Sequence, residues 1–91
     1  MPYRVERDGS GREPFGEYRY RIYDGDMLIA NYWHDFRGDE HGIDFAVPVS
    51  GSPKDLWPVG RMIDFLEGGG PEPHALSERA LAYIKAKLEP R

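Results

Sequence analysis

The chain has 91 residues, enough for one hydrophobic core and too few for two, so a single small domain spanning 1–91 is predicted and a second, catalytic domain is excluded. Sixteen acidic against twelve basic residues leave a formal charge of -4, which opposes phosphate binding by the whole surface; a nucleic-acid role would need a segregated basic patch. With no cysteine there is no disulfide, thiolate or Cys-type zinc chemistry, and with no leader-like or membrane-length apolar run the expectation is a cytoplasmic protein outside the membrane.

Tyr3 to Arg7 alternate weakly, Tyr3 and Val5 on one side and Arg4 and Glu6 on the other, as a short edge strand would. The stretch from Asp8 to Gly16 concentrates Gly, Ser and Pro without periodicity and reads as a surface loop. From Glu17 to Tyr23 and from Met27 to Trp33, two β-rich runs flank Asp24-Gly25-Asp26, a strong hairpin signal. Tyr18, Tyr20 and Ile22 share one face and Arg19 and Arg21 the other, so the tyrosine face is the expected core face.

Two pairing registers compete. A two-residue turn at Asp24-Gly25 sets Ile22 opposite Met27; a three-residue loop through Asp26 sets it opposite Leu28. The second is preferred, because it gathers Tyr18, Tyr20, Ile22, Leu28, Ala30 and Tyr32 on one face with no charged residue.

Gly42 to Val47 alternates again and stops at Pro48, predicting a third strand with Ile43, Phe45 and Val47 inward. Val49 through Asp55 reads as a turn-rich connection. A helix is then predicted from Pro58 to about Glu67, with Val59, Met62, Ile63 and Leu66 spaced three and four apart; Gly60 weakens it and Gly68 stops it. Gly68 to Pro73 must be non-helical. The last helix has Ser77 as its N-cap, Glu78 in the first turn, Lys85 and Lys87 toward the end, and a stripe of Leu81, Ile84 and Leu88 flanked by Ala80 and Tyr83. The expected architecture is therefore α+β: a three- to four-stranded antiparallel β-meander packed against two C-terminal α-helices.

One segment stands apart in composition. The run from Asn31 to Asp44 packs two His, four carboxylates and an Arg among three aromatics, at the end of one strand, across a loop and into the next; within it Trp33, His34, Asp35, Phe36, Arg37, Asp39, Glu40 and His41 are the candidate site residues, placed where functional groups often sit. A solvated, ion-paired turn is the plainest account of the polar ones, and Gly38 supplies the conformational freedom a turn needs. As an interaction patch, Trp33, Phe36 and Arg37 are anchors of the types enriched at hot spots, rimmed by Asp35, Asp39 and Glu40. Trp33 and Phe36 could instead cap the end of the core, with Phe36 the one nearer the loop tip.

A metal reading joins His34 and His41 to Asp35, Asp39 or Glu40, although the His spacing matches no familiar ligand pattern. An acid–base reading would use the same imidazoles and carboxylates with Arg37 holding an anion, but no nucleophile accompanies them; Ser50 and Ser52 lie in a plain loop. Tyr18, Tyr20, Arg19, Arg21 and Tyr23 suggest nucleic-acid stacking, yet Tyr18 and Tyr20 alternate away from the arginines, so stacking and charge would not cooperate. His74 reads as an exposed helix-entry residue. The composite expectation is a non-enzymatic protein-binding adaptor or inhibitor module acting through the Trp33 to His41 surface, with no cofactor. A metal-binding domain or metal-dependent enzyme on His34 and His41 is the alternative. An open edge strand would permit pairing between copies.

Overall fold

The computed structural model of the protein describes residues 3–7, 18–35, 40–67 and 75–89. Five strands form one antiparallel sheet in chain order: β1 (Tyr3–Arg7), β2 (Tyr18–Asp24), β3 (Met27–His34), β4 (His41–Phe45) and β5 (Lys54–Leu56). A single 3₁₀ turn, Met62–Asp64, leads into β6 (Leu66–Glu67), which pairs with β7 (Ala75–Leu76), and the C-terminal helix α1 runs Glu78–Leu88. The fold is thus a small α+β arrangement. Among the described residues it corrects the expected count: the main sheet has five strands rather than three or four, and there is one C-terminal α-helix rather than two. The expected loop from Asp8 to Gly16, the segment Gly68 to Pro73 and His74 lie outside the described residues.

The hairpin between β2 and β3 follows neither simple register. Gly25 takes a positive φ of 64° while Asp26 does not, the pattern of a two-residue type II′ turn, and Asp24 pairs with Met27 and Tyr23 with Leu28. One residue is then inserted in β3, so Ile22 faces Ala30, Tyr20 faces Tyr32 and Tyr18 faces His34. This bulge reconciles two demands that no uniform register meets together, a tight glycine turn and an apolar inner face. Ile29 and Ala30 are both buried as a result, and Leu28 is only half-buried.

β4 begins one residue before its predicted start, with Ile43 and Phe45 buried as expected. β5 was hidden in the turn-rich stretch, because Ser50-Gly51-Ser52-Pro53 masks a strand of only three residues. Ser52 caps it: its hydroxyl accepts from the Lys54 N–H at 3.2 Å and donates to the Lys54 carbonyl at 2.9 Å, occupying polar groups at an otherwise open edge.

The predicted helix from Pro58 to Glu67 does not form. Gly60 sits at φ 91° and Arg61 is extended at φ −98°, ψ 164°, so the chain has no helical run before Met62. Asp64 then accepts from the Arg61 N–H at 3.2 Å and tightens a single turn. β6 follows at once, drawn into pairing by Leu66 opposite Leu76. Tertiary pairing and a left-handed glycine thus override an i, i+3, i+4 pattern, of which Leu66 is buried while Val59 and Met62 pack against the core.

The final helix matches its signals. Ser77 accepts from the Ala80 N–H at 3.0 Å, and Lys85 and Lys87 lie in the last turn. Ala80 and Ile84 are fully buried; Leu81, Tyr83 and Leu88 pack around them. Above the inner sheet face, Phe65 stacks on Tyr32 with centroids 4.2 Å apart and planes at 10°. No described helix is long and apolar enough to cross a membrane.

Candidate functional site

The two histidines of the distinctive segment end up side by side. β3 and β4 place His34 directly opposite His41, and both rings are buried on the inner face. Each ring nitrogen has a partner. His34 Nδ1 lies 2.7 Å from the Asp35 carbonyl and Nε2 lies 3.1 Å from the Tyr20 hydroxyl. His41 Nε2 lies 2.7 Å from the Gly60 carbonyl and Nδ1 lies 3.0 Å from the Tyr32 hydroxyl.

A carbonyl only accepts, so His34 carries its proton on Nδ1 and His41 on Nε2, and each tyrosine donates to the remaining nitrogen. Two parallel relays result, Tyr20 to His34 to Asp35 and Tyr32 to His41 to Gly60, each satisfied by a neutral imidazole. Burial lowers the His41 pKa below its ordinary value against the raising pull of the Gly60 bond and Asp64, and burial raises those of Tyr32 and Tyr20.

Trp33 points the other way. Alternation puts it on the outer sheet face, between Arg19 on β2 and Gly42 on β4, with Leu56 beyond on β5. Its indole lies against Gly42 so closely that a Cβ there would meet Trp33 Nε1 at 2.7 Å. Around it runs an open groove of about 460 Å³, lined by Arg19, Asn31, Trp33, Asp44, Lys54 and Leu56. Leu56 is 66% exposed and the adjoining Trp57 53% exposed. Trp57 is held at φ 52°, a strained value for a side-chain-bearing residue, by its N–H bond to the His41 carbonyl at 2.8 Å.

The predicted site residues therefore divide. Trp33 reaches the outer surface, His34 and His41 turn inward, Asp35 is half-buried and Glu40 exposed where the Asp35 N–H meets the Glu40 carbonyl at 3.0 Å. Phe36, Arg37 and Asp39 lie outside the described residues. Among the described residues no group of three or more His, Asp or Glu is placed to share a metal ion. Sequence reasoning took Asn31 and Asp44 only as the ends of the distinctive segment and named neither them nor Lys54, Leu56 or Trp57 as contact residues. Alternation beside buried neighbours marks Asn31 and Asp44 as outward, whereas Leu56 and Trp57, just ahead of the predicted helix, carry no period of their own. No family model matches the chain, and neither the curated proteins nor the solved structures contain a significant match to it.

Proposed function

We propose that the chain is a non-enzymatic protein-binding module, of adaptor or inhibitor type, whose contact surface is the outer sheet face at the end of β3. The observation that carries this reading is the grouping of Trp33 and Leu56 along one open groove, with Arg19 also lining it and exposed Trp57 next in the chain after Leu56. Contiguous exposed apolar groups mark interaction surfaces, and Trp and Arg are the residue types that dominate their energetics. Asp35 and Glu40 supply a polar rim on the adjoining loop. The groove is open rather than enclosed, which suits a protein surface better than a fully buried small ligand.

Proximity crosslinking of the wild type beside a Trp33→Ser, Leu56→Glu variant tests it, with folding checked by circular dichroism. Loss of a specific crosslinked partner in the variant is the expected result; retention of every partner removes the reading. A Phe36→Ala, Arg37→Ala variant run in parallel tests the loop half of the surface.

One observation, the direct opposition of His34 and His41 across the ladder, favours a metal centre as the second reading. A metal would have to displace the tyrosine bonds to His34 Nε2 and His41 Nδ1, because the other nitrogens hold protons for carbonyls. Zinc or manganese titration followed by histidine NMR decides it: a saturable shift at micromolar metal is required, and its absence eliminates the site.

A further inference from the structure

The outer face carries a charge row that is its own complement. One cross-strand line runs through the whole sheet by register: Glu6 opposite Arg21, Arg21 opposite Asn31, Asn31 opposite Asp44, Asp44 opposite Lys54. Buried neighbours on both sides, Tyr20 and Ile22, Ala30 and Tyr32, Ile43 and Phe45, aim Arg21, Asn31 and Asp44 outward. From β1 to β5 the row is negative, positive, neutral, negative, positive. Reversed, every sign changes and the neutral centre stays.

We infer that the protein partner at this face is a second copy of the chain, packed face to face about a two-fold axis that runs along β3 above Asn31. The inference rests on the binding-module reading and names its partner. The rotation exchanges β1 with β5 and β2 with β4. Glu6 then meets Lys54 of the second copy, Arg21 meets Asp44, and the two Asn31 amides, each both donor and acceptor, meet at the axis. Two residues along β3, the same operation sets the two Trp33 rings on either side of the axis, each resting on its own Gly42 and facing Arg19 of the second copy, which covers the apolar part of the groove.

Within one copy Glu6 also lies 3.3 Å from Arg4 and 4.0 Å from Arg21, but these are half-exposed ion pairs, of a kind that contributes little and can be exchanged for pairs across the axis. Five strands about 4.8 Å apart and five residues about 3.4 Å apart give a footprint of roughly 400 Å² per copy. That is about half the ~800 Å² per partner of a standard interface, so the dimer is weak and concentration-dependent.

Sedimentation equilibrium on the whole chain up to a concentration on the order of 1 mM, where even a weak ~1 mM pairing is visible, is the test. Arg21→Asp makes both central positions acidic, and Asp44→Arg makes both basic, so each variant alone sets like charges against each other at two places and pairs about tenfold or more weakly. Mixed one to one, they form a heterodimer in which both contacts are attractive again. No interaction within one copy predicts that rescue.

A wild type that stays monomeric, or a mixture no heavier than its components, overturns the inference. If the chain is monomeric yet loses a crosslinked partner on Trp33→Ser, Leu56→Glu substitution, self-pairing fails and the binding face stands. No dimer and no partner overturns both.

Discussion

His41 and Tyr32 are joined across adjacent strands by a 3.0 Å hydrogen bond deep in the core, and Phe65 covers the pair by stacking on the phenol ring. Through its other nitrogen His41 holds the Gly60 carbonyl, and through its backbone carbonyl it holds the Trp57 N–H. One buried residue thus fastens the 57–60 segment, where exposed Trp57 sits, to the centre of the sheet.

Replacing His41 with Phe keeps apolar volume and strands the buried Tyr32 hydroxyl, while the carbonyl of exposed Gly60 turns to water. An unsatisfied buried group costs about 1–3 kcal/mol, and a loss in that range is expected by urea unfolding. Combining it with Tyr32→Phe, which removes one orphan, should cost less than the sum of the two single changes. Additive losses would mean that the Tyr32–His41 bond carries no weight.

Stability should fall on the acid side of neutrality. Burial lowers the folded-state pKa of His41 below 6.5, so the unfolded chain takes up this proton first as pH drops. The contribution is fully present above pH 6.5, shrinks as pH falls through the depressed folded value, and stays lost below it. For Tyr32 the folded pKa is raised above 10.0, so its contribution is present below pH 10 and is lost as pH rises through the folded value. Unfolding midpoints of wild type and His41→Phe across pH 5 to 8 check the acid limb: the wild type should lose stability with acid more steeply, and equal slopes refute the assignment.

The α1 seam is tested at Ile84, which is fully buried against the sheet. Ile84→Ala should cost about 2–5 kcal/mol through lost burial and a residual cavity, and Ile84→Asp should abolish cooperative thermal unfolding. Ala82, one of the exposed helix residues, serves as the control: Ala82→Asp should shift the midpoint only slightly.

The difference between the legible and illegible parts of the fold has physical causes. Tyr18, Tyr20 and Ile22 reveal their face because alternation is fixed by backbone geometry, and Ser77 reveals the start of α1 because a cap acts within three residues. Gly60, by contrast, looks like a helix residue that costs about 1 kcal/mol, whereas its left-handed φ and the pairing of Leu66 with Leu76 are settled by contacts distant in sequence. Ile29 leaves no mark as a bulge, since both strands remain apolar through it.

In the candidate site, residue type drew attention to Trp33, which lies on the outer face, but gave to the surface His34 and His41, which are buried. Their aromatic and carbonyl partners become neighbours only when β2, β3, β4 and the Gly60 segment assemble. Leu56 and Trp57 escaped because β5 is too short to show a period.

The contact between Trp33 and Gly42 gives the sharpest local test of the outer face. A methyl group at position 42 would lie 2.7 Å from Trp33 Nε1 and 3.0 Å from the Asp55 carbonyl, the first a side chain that can shift and the second a backbone atom of the neighbouring strand. Gly42→Ala should therefore displace the indole and destabilise the sheet by about 1–3 kcal/mol, the range for overpacking. Trp33→Ser removes the indole but leaves the Asp55 carbonyl in place. The double variant should then recover part of the Gly42→Ala loss and no more, giving a coupling of about 0.5–3 kcal/mol in a double-mutant cycle. Zero coupling would show that the indole does not rest on Gly42. Full recovery would show that the backbone of β5 yields freely to the added methyl, and the edge strand carrying Leu56 would then be softer than its pairing with β4 implies.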